Sequence, residues 1–246
     1  MRKNIINMAK EHCGSVDKDT LALKVEEYFS CTPRGTEYIG GRAISGKEYD
    51  SLVDFTSHYG STPEKEYADY KIKVRGGSVT HIYAHGRGID LIPESISDFS
   101  KLEFLNLDDN RIRDFPSYLE GCENLRILHL SGNNLKDSGV CRVGNLPNLE
   151  MLFLDSNGMG EIPESVGDLK KLATFHASKN LIQEVPESLG GIKTLKWVTL
   201  SSNGITSLPK YMGSLKMVDK LDLRGNPITG EAAAKLKKAF GNRLRI

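Results

Sequence analysis

The sequence predicts an α/β solenoid: a curved array of about seven repeats whose short strands form a parallel concave sheet, preceded by a small helical N-terminal cap or domain. Three observations carry this reading. From Val79 one pattern restarts at Leu102, Leu125, Leu149, Leu172, Leu195 and Val218, with 23 residues between starts except for one step of 24. Within a copy, apolar residues fall as L-x-x-L-x-L and an asparagine follows three residues later, as in Leu102-Glu-Phe-Leu105-Asn-Leu107-Asp-Asp-Asn110-Arg-Ile112. Most copies then carry a hydrophobic residue and a proline: Ile92-Pro93, Phe115-Pro116, Ile162-Pro163, Val185-Pro186 and Leu208-Pro209. A period of this length marks one supersecondary unit per copy, stacked on its neighbours to bury a continuous core.

The chain divides into residues 1–78, mainly helical and ending in a strand, the repeats at 79–229, and a capping helix and strand at 230–246. Asp17 or Asp19 caps a helix from about Thr20 to Phe29, whose apolar residues fall on one face. Residues from Cys31 to Gly41 are rich in proline and glycine and read as loop. Ser45-Gly-Lys-Glu48 has capping-box spacing and opens a second helix with Tyr49, Leu52, Val53 and Tyr59 as its apolar stripe. Thr62-Pro63-Glu64 opens a third, short helix. Tyr70 to Val74 alternates with period two, and Gly76-Gly77 turns it back onto Val79–Tyr83.

Gly41-Arg-Ala-Ile-Ser-Gly46-Lys47 also matches G-x-x-x-x-G-K, the spacing of a phosphate-cradling loop. Glu48 follows where a hydroxyl would bind magnesium, and the capping box accounts for the same residues, so no nucleotide site is assigned.

In each repeat, alternation along the strand sends the L-x-L pair inward and the intervening residues to the other face. The inward pairs run from Ile82 and Ala84, through Leu128 and Leu130, to Leu221 and Leu223. Asn110, Asn133, Asn157, Asn180, Asn203 and Asn226 sit where the chain turns inward, and an amide both donates to and accepts from backbone groups there. The first copy has Arg87 at this position. The third copy lacks the early proline and has one extra residue, which predicts a longer or irregular convex segment near residues 136–147. At the end, Glu231 to Phe240 forms a helix that closes the core with Ala232, Leu236, Ala239 and Phe240, and Leu244 and Ile246 add a last strand.

Residues 79–246 resemble the intracellular leucine-rich repeat proteins with 23-residue repeats and I-P-x-S-I/L-x-x-L backs, such as the Ras-group family. The resemblance implies an adaptor, scaffold or recognition protein that holds a partner on the concave sheet. It covers about two-thirds of the chain.

Composition excludes other classes. Net charge is +1, with Lys+Arg 33 against Asp+Glu 32, which offers no field for nucleic acid or a lipid surface. The basic excess of residues 218–246 reads as a solvated cap. No apolar run approaches the ~18 residues of a membrane span, and the N-terminus lacks a signal-peptide core. Cys13, Cys31, Cys122 and Cys141 show no C-x-x-C spacing and read as reduced thiols, so a cytoplasmic protein is expected, without excluding signal-independent export.

The positions between the leucines line the concave face in columns. A central column holds Tyr83, Asn106, His129, Phe153, His176, Thr199 and Asp222, and a neighbouring one holds His81, Phe104, Ile127, Met151, Thr174, Trp197 and Lys220. The candidate protein-binding residues are Tyr83, Phe104, Ile127, His129, Met151, Phe153, His176 and Trp197, with Lys196 and Arg224 at the rim. An apolar strip rimmed by polar groups marks an interaction site, with Trp, Tyr and Arg as the usual anchors. The partner is a protein, and the chain on its own is expected to be a monomer. Histidine titrates near neutrality, which makes the surface pH-sensitive. His129 and His176 lie two strands and roughly 10 Å apart, too far to share a metal. No catalytic, cofactor or metal residue is assigned.

The alternative is the substrate-recognition part of an enzyme, such as a bacterial effector ubiquitin ligase. Its nucleophile would have to be Cys13 or Cys31, with His12 beside the former.

Overall fold

Two residues of each repeat, one in its strand and one just after it, are buried completely, and this sets the architecture. In a computed structural model that describes residues 36–39, 42–57, 71–136, 140–209 and 218–246, the inward pairs from Ile82 and Ala84 to Leu221 and Leu223 are all 0% exposed. They form the inner layer of one core running the length of the array.

The first segment is a hairpin, β1 (Thr36–Ile39) and β2 (Arg42–Ser45), paired antiparallel. The loop expected from Cys31 to Gly41 is therefore extended over residues 36–39. Strand pairing overrides the local breaker signals of Pro33, Gly35 and Gly40. The same pairing places residues 42–45 of the nucleotide-loop look-alike in a strand. α1 (Gly46–Ser57) follows directly. Its N-terminus is capped as the spacing predicts, with the Glu48 N–H donating to Ser45 Oγ at 3.2 Å. Tyr49, Leu52 and Phe55 form its buried stripe. The helices expected near Thr20–Phe29 and Thr62 lie outside the described residues, as does Tyr59.

α1 is pinned to the first repeat by polar contacts. Ser51 Oγ donates to Asp98 Oδ2 at 2.7 Å, Lys47 Nζ lies 2.6 Å from Asp98 Oδ1, and the Glu48 carboxylate accepts from the Val79 N–H at 3.4 Å. Burial raises the Glu48 pKa, with that backbone bond and Ser45 opposing.

Nine strands form the main sheet among the described residues. β3 (Lys71–Arg75) pairs antiparallel with β4 (Ser78–Tyr83) through the Gly76-Gly77 turn, where both glycines have positive φ. Then β5 (Phe104–Asn106), β6 (Ile127–His129), β7 (Met151–Phe153), β8 (Thr174–His176), β9 (Trp197–Thr199) and β10 (Lys220–Asp222) continue in parallel, each in register with the next.

After each strand the chain turns through a left-handed residue: Gly86, Asp109, Gly132, Ser156, Lys179, Ser202 and Gly225 all have positive φ. The next residue is the repeat asparagine, or Arg87 in the first copy. Asn180 shows what the amide does. Its Nδ2 donates to Leu154 O at 3.0 Å and Ala177 O at 3.1 Å, while Oδ1 accepts from the N–H groups of Asn157 and Met159 at 2.9 and 3.1 Å. These backbone groups are buried and need partners.

On the convex side, 3-10 turns open after Pro93, Pro116, Pro163 and Pro186 and bury Ile96, Leu119, Val166 and Leu189. The third repeat departs from this pattern: a 3-10 turn spans Val143–Asn145, against five residues in each of those four turns, and residues 137–139 of the segment expected to be longer or irregular lie outside the described residues.

α2 (Gly230–Phe240) closes the far end with Leu236 and Phe240 buried, and β11 (Leu244–Arg245) adds a parallel strand to β10. Ala239, expected in the core, is exposed, because the helix phase turns Ala232 and Ala233 toward the core instead. Arg243 stitches the cap by donating to Val218 O at 2.9 Å.

Candidate functional site

The register of the parallel sheet aligns the outward residues into the columns read from the sequence. Tyr83, Asn106, His129, Phe153, His176, Thr199 and Asp222 are successive partners, as are His81, Phe104, Ile127, Met151, Thr174, Trp197 and Lys220. Tyr83, Phe104, Ile127, His129, Met151, Phe153 and His176 are half-buried, and Lys196, Trp197 and Arg224 are exposed. Thr174 and Asp222 are buried, so the face is interrupted at those two positions.

Six rings form a continuous ladder across the first five repeat strands. Tyr83 and Phe104 lie 4.6 Å apart and Phe104 and His129 5.5 Å apart; His129 stacks on Phe153 at 4.2 Å, and His176 meets Phe153 edge-on at 4.9 Å. His81 stacks on Phe104 at 5.6 Å. Cross-strand aromatic pairs stabilise the sheet they decorate, and here they also lock the rings into one rigid surface. Trp197 has no ring contact with the ladder among the described residues. It is 54% exposed, whereas the rings of the ladder are half-buried.

Two carboxylates face the central imidazoles. His129 Nδ1 lies 3.1 Å from Asp108 Oδ2, and the other oxygen of Asp108 accepts from the Ser131 N–H at 2.6 Å. Two repeats further along, His176 Nδ1 lies 3.9 Å from Asp155 Oδ2, and Asp155 Oδ1 accepts from the Ser178 N–H at 2.5 Å. Burial holds the His176 imidazole below its ordinary range, opposed by Asp155. Burial also raises the Asp155 carboxyl, against the bond from Ser178. Neither aspartate was among the candidate binding residues. The signal that finds them is an Asp followed 21 residues later by His-x-Ser, present twice as Asp108…His129-Leu-Ser131 and Asp155…His176-Ala-Ser178.

At the rim, Arg126 makes a two-pronged pair with Glu150 at 2.9 and 3.0 Å. Toward the C-terminal end Arg224 grips Asp222, with Nη2 to Oδ2 at 2.6 Å. Burial works to raise the Asp222 pKa, but Arg224 outweighs it and the net shift is downward. No group of three or more potential metal-ligating side chains occurs among the described residues.

This sheet and its repeats define the class of protein. Residues 117–238 match a leucine-rich repeat region and residues 101–122 match a leucine rich repeat, together more than half of the 246 residues. The chain belongs to the leucine-rich repeat family. Over 91 residues it is 28% identical to leucine-rich repeat serine/threonine-protein kinase 1 of Caenorhabditis elegans, covering 36% of this chain but only 4% of the kinase.

Among solved structures it is similar to an internalin of Listeria monocytogenes, with TM-score 0.55, 21% identity, and coverage of 74% of this chain and 48% of that one. It is similar as well to the leucine-rich repeat ectodomain of an Arabidopsis thaliana membrane receptor kinase. That protein was solved in complex with Casparian strip integrity factor 2, and the likeness has TM-score 0.55, 23% identity, and coverage of 75% of this chain and 26% of that one. At these structural identities the likeness is of fold. The fold itself is typical of protein–protein interaction modules, whose curvature creates extended concave surfaces.

Proposed function

We propose that this chain is a non-catalytic recognition module, an adaptor or scaffold that binds a partner protein on its concave sheet. The ring ladder is the observation that carries this reading: a solvent-facing aromatic surface spanning five strands and bordered by charge. The contact residues are the ladder members Tyr83, Phe104, His129, Phe153 and His176, the apolar Ile127 and Met151 beside them, and Trp197. Lys196 and Arg224 form the rim. Rigidity is the mechanism, because a preformed surface loses little entropy on binding.

A reducing, cytoplasmic setting fits the two described cysteines. Cys122 and Cys141 are both free, and burial pushes the Cys122 thiol up to about 12, where it stays protonated and inert.

The test is affinity capture with wild type, Trp197→Ala and Phe153→Ala, read by mass spectrometry and followed by titration of the partner found. Trp197→Ala is the cleaner variant, since its side chain is mostly exposed and its loss leaves the ladder intact. Both variants are expected to weaken binding by at least about 1 kcal/mol, the scale of an interface anchor, with Trp197→Ala leaving the unfolding midpoint nearly unchanged. Full affinity in both would refute the concave-face assignment.

A further inference from the structure

The charges around the ladder are not evenly spread. From β5 to β8 the concave positions carry four carboxylates, Glu103, Asp108, Glu150 and Asp155, against one guanidinium, Arg126. That guanidinium is already engaged by Glu150. Asp108 and Asp155 each have one oxygen fixed by a backbone N–H and the other turned toward an imidazole. They stand in alternate repeats with Ser131 between them, and the charge on Asp108 adds to the burial that raises the pKa of Asp155.

Both ends of the face have the opposite sign. Lys73 and Arg75 lie on the edge strand, with Lys73 over the Tyr83 ring at 5.4 Å. At the other end Lys196, Lys220 and Arg224 stand around Trp197 against Asp219 and Asp222; Arg224 is engaged by Asp222, which leaves the two lysines against Asp219 and a small positive excess.

A positive–negative–positive pattern excludes one occupant at once. A second copy of this chain docked face to face about a two-fold axis would set the acidic middle on itself and the basic ends on each other. The complement is a chain whose middle is cationic.

We infer that the concave face takes an extended partner segment bearing an arginine or lysine, whose cation lies over Ser131 between Asp108 and Asp155 while its apolar neighbours rest on Ile127 and Met151. This rests on the concave-face reading above and adds the partner's chemistry to it. Asp108 and Asp155 sit in the turns after β5 and β7, on either side of the Ser131 turn at a repeat spacing of about 4.8 Å, so a cation there lies between their two negative charges. It relieves their mutual repulsion and compensates the burial of Asp155. Like-charged segments are rejected there, so the pattern supplies specificity.

The test uses the full chain and three fluorescent twelve-residue peptides in which leucine alternates with arginine, glutamate or serine, followed by anisotropy at physiological salt. The arginine peptide is expected to bind about tenfold or more tightly than the other two, the scale of a desolvated charge pair. Asp108→Asn with Asp155→Asn is expected to erase that advantage, because asparagine keeps the acceptor for the backbone N–H and removes only the charge. Ser131→Lys, which installs a competing cation and leaves both carboxylates in place, is expected to do the same. Glu184→Gln with Glu187→Gln, the same charge change on the convex side, is expected to leave binding unaltered.

Equal binding of all three peptides, preference for the glutamate peptide, no binding at all, or an arginine preference that survives both concave-face changes each overturns the inference. If that preference survives them but is lost in Trp197→Ala, the concave-face reading stands without the cation site. If the captured partner binds equally well to wild type, Trp197→Ala and Phe153→Ala, both readings fall.

Discussion

Removing one repeat asparagine should cost a different amount at different repeats, and the structure sets the order. Asn180 accepts from two backbone N–H groups, those of Asn157 and Met159. The carbonyls to which it donates, Leu154 O and Ala177 O, have second donors in Asn157 and Asn203. Asn180→Ala therefore orphans two buried N–H groups while leaving those carbonyls partnered. At about 1–3 kcal/mol for each unsatisfied buried group, the loss is roughly 2–6 kcal/mol. Asn110 has the same double role, toward the N–H groups of Arg87 and Ile89.

Asn133 and Asn203 instead accept from one N–H each, those of Ile112 and Ile182, which brings their loss to about 1–3 kcal/mol. Urea unfolding of the four alanine variants, compared at constant m-value, measures the order. Asn110 and Asn180 should cost about twice as much as Asn133 and Asn203. Equal losses, or a larger loss at Asn133, would refute the claim that the orphaned donors set the cost.

Three further expectations follow from single positions. Gly132 sits at φ +68, and a Cβ there would strike the Asp109 carboxylate, so Gly132→Ala should lower stability by at least about 1–2 kcal/mol, checked by thermal melting. His176 is held below its ordinary pKa chiefly by burial, so as pH falls the unfolded chain binds a proton before the folded one does. The stability it contributes is complete above the ordinary imidazole value of about 6.5 and is lost as pH falls from there through the lower folded value. The difference in stability between wild type and His176→Gln should shrink over that window, and a pH-independent difference would contradict it. Cys122 should react with a thiol reagent only on unfolding, whereas exposed Cys141 should react in the native state; mass-resolved labelling tells the two apart.

Much of this molecule was readable before folding because the repeat restates each instruction several times. A leucine that is buried in one copy is buried in the others, and alternation along a strand settles which side chains face out. The inward pairs, the asparagine turns and the columns follow from that. Local signals failed where a distant partner decided. Residues 36–39 look like loop beside Pro33 and Gly35, yet they pair with residues 42–45, and strand pairing is a contact between segments that composition does not report. Ala239 and Ala233 are equally apolar, and only the docking angle of α2 on the last repeat selects which one approaches the core.

For the surface the division is similar. The sequence alone determined which residues line the concave face, since a period of two allows no other assignment. Tertiary structure decided how they meet: that His129 stacks on Phe153, that Asp108 and Asp155 face the two imidazoles, and that Trp197 stands open while Thr174 beside it is buried. Those facts depend on rotamers and on neighbours a full repeat away. One strand cannot specify them, because each contact is made by two.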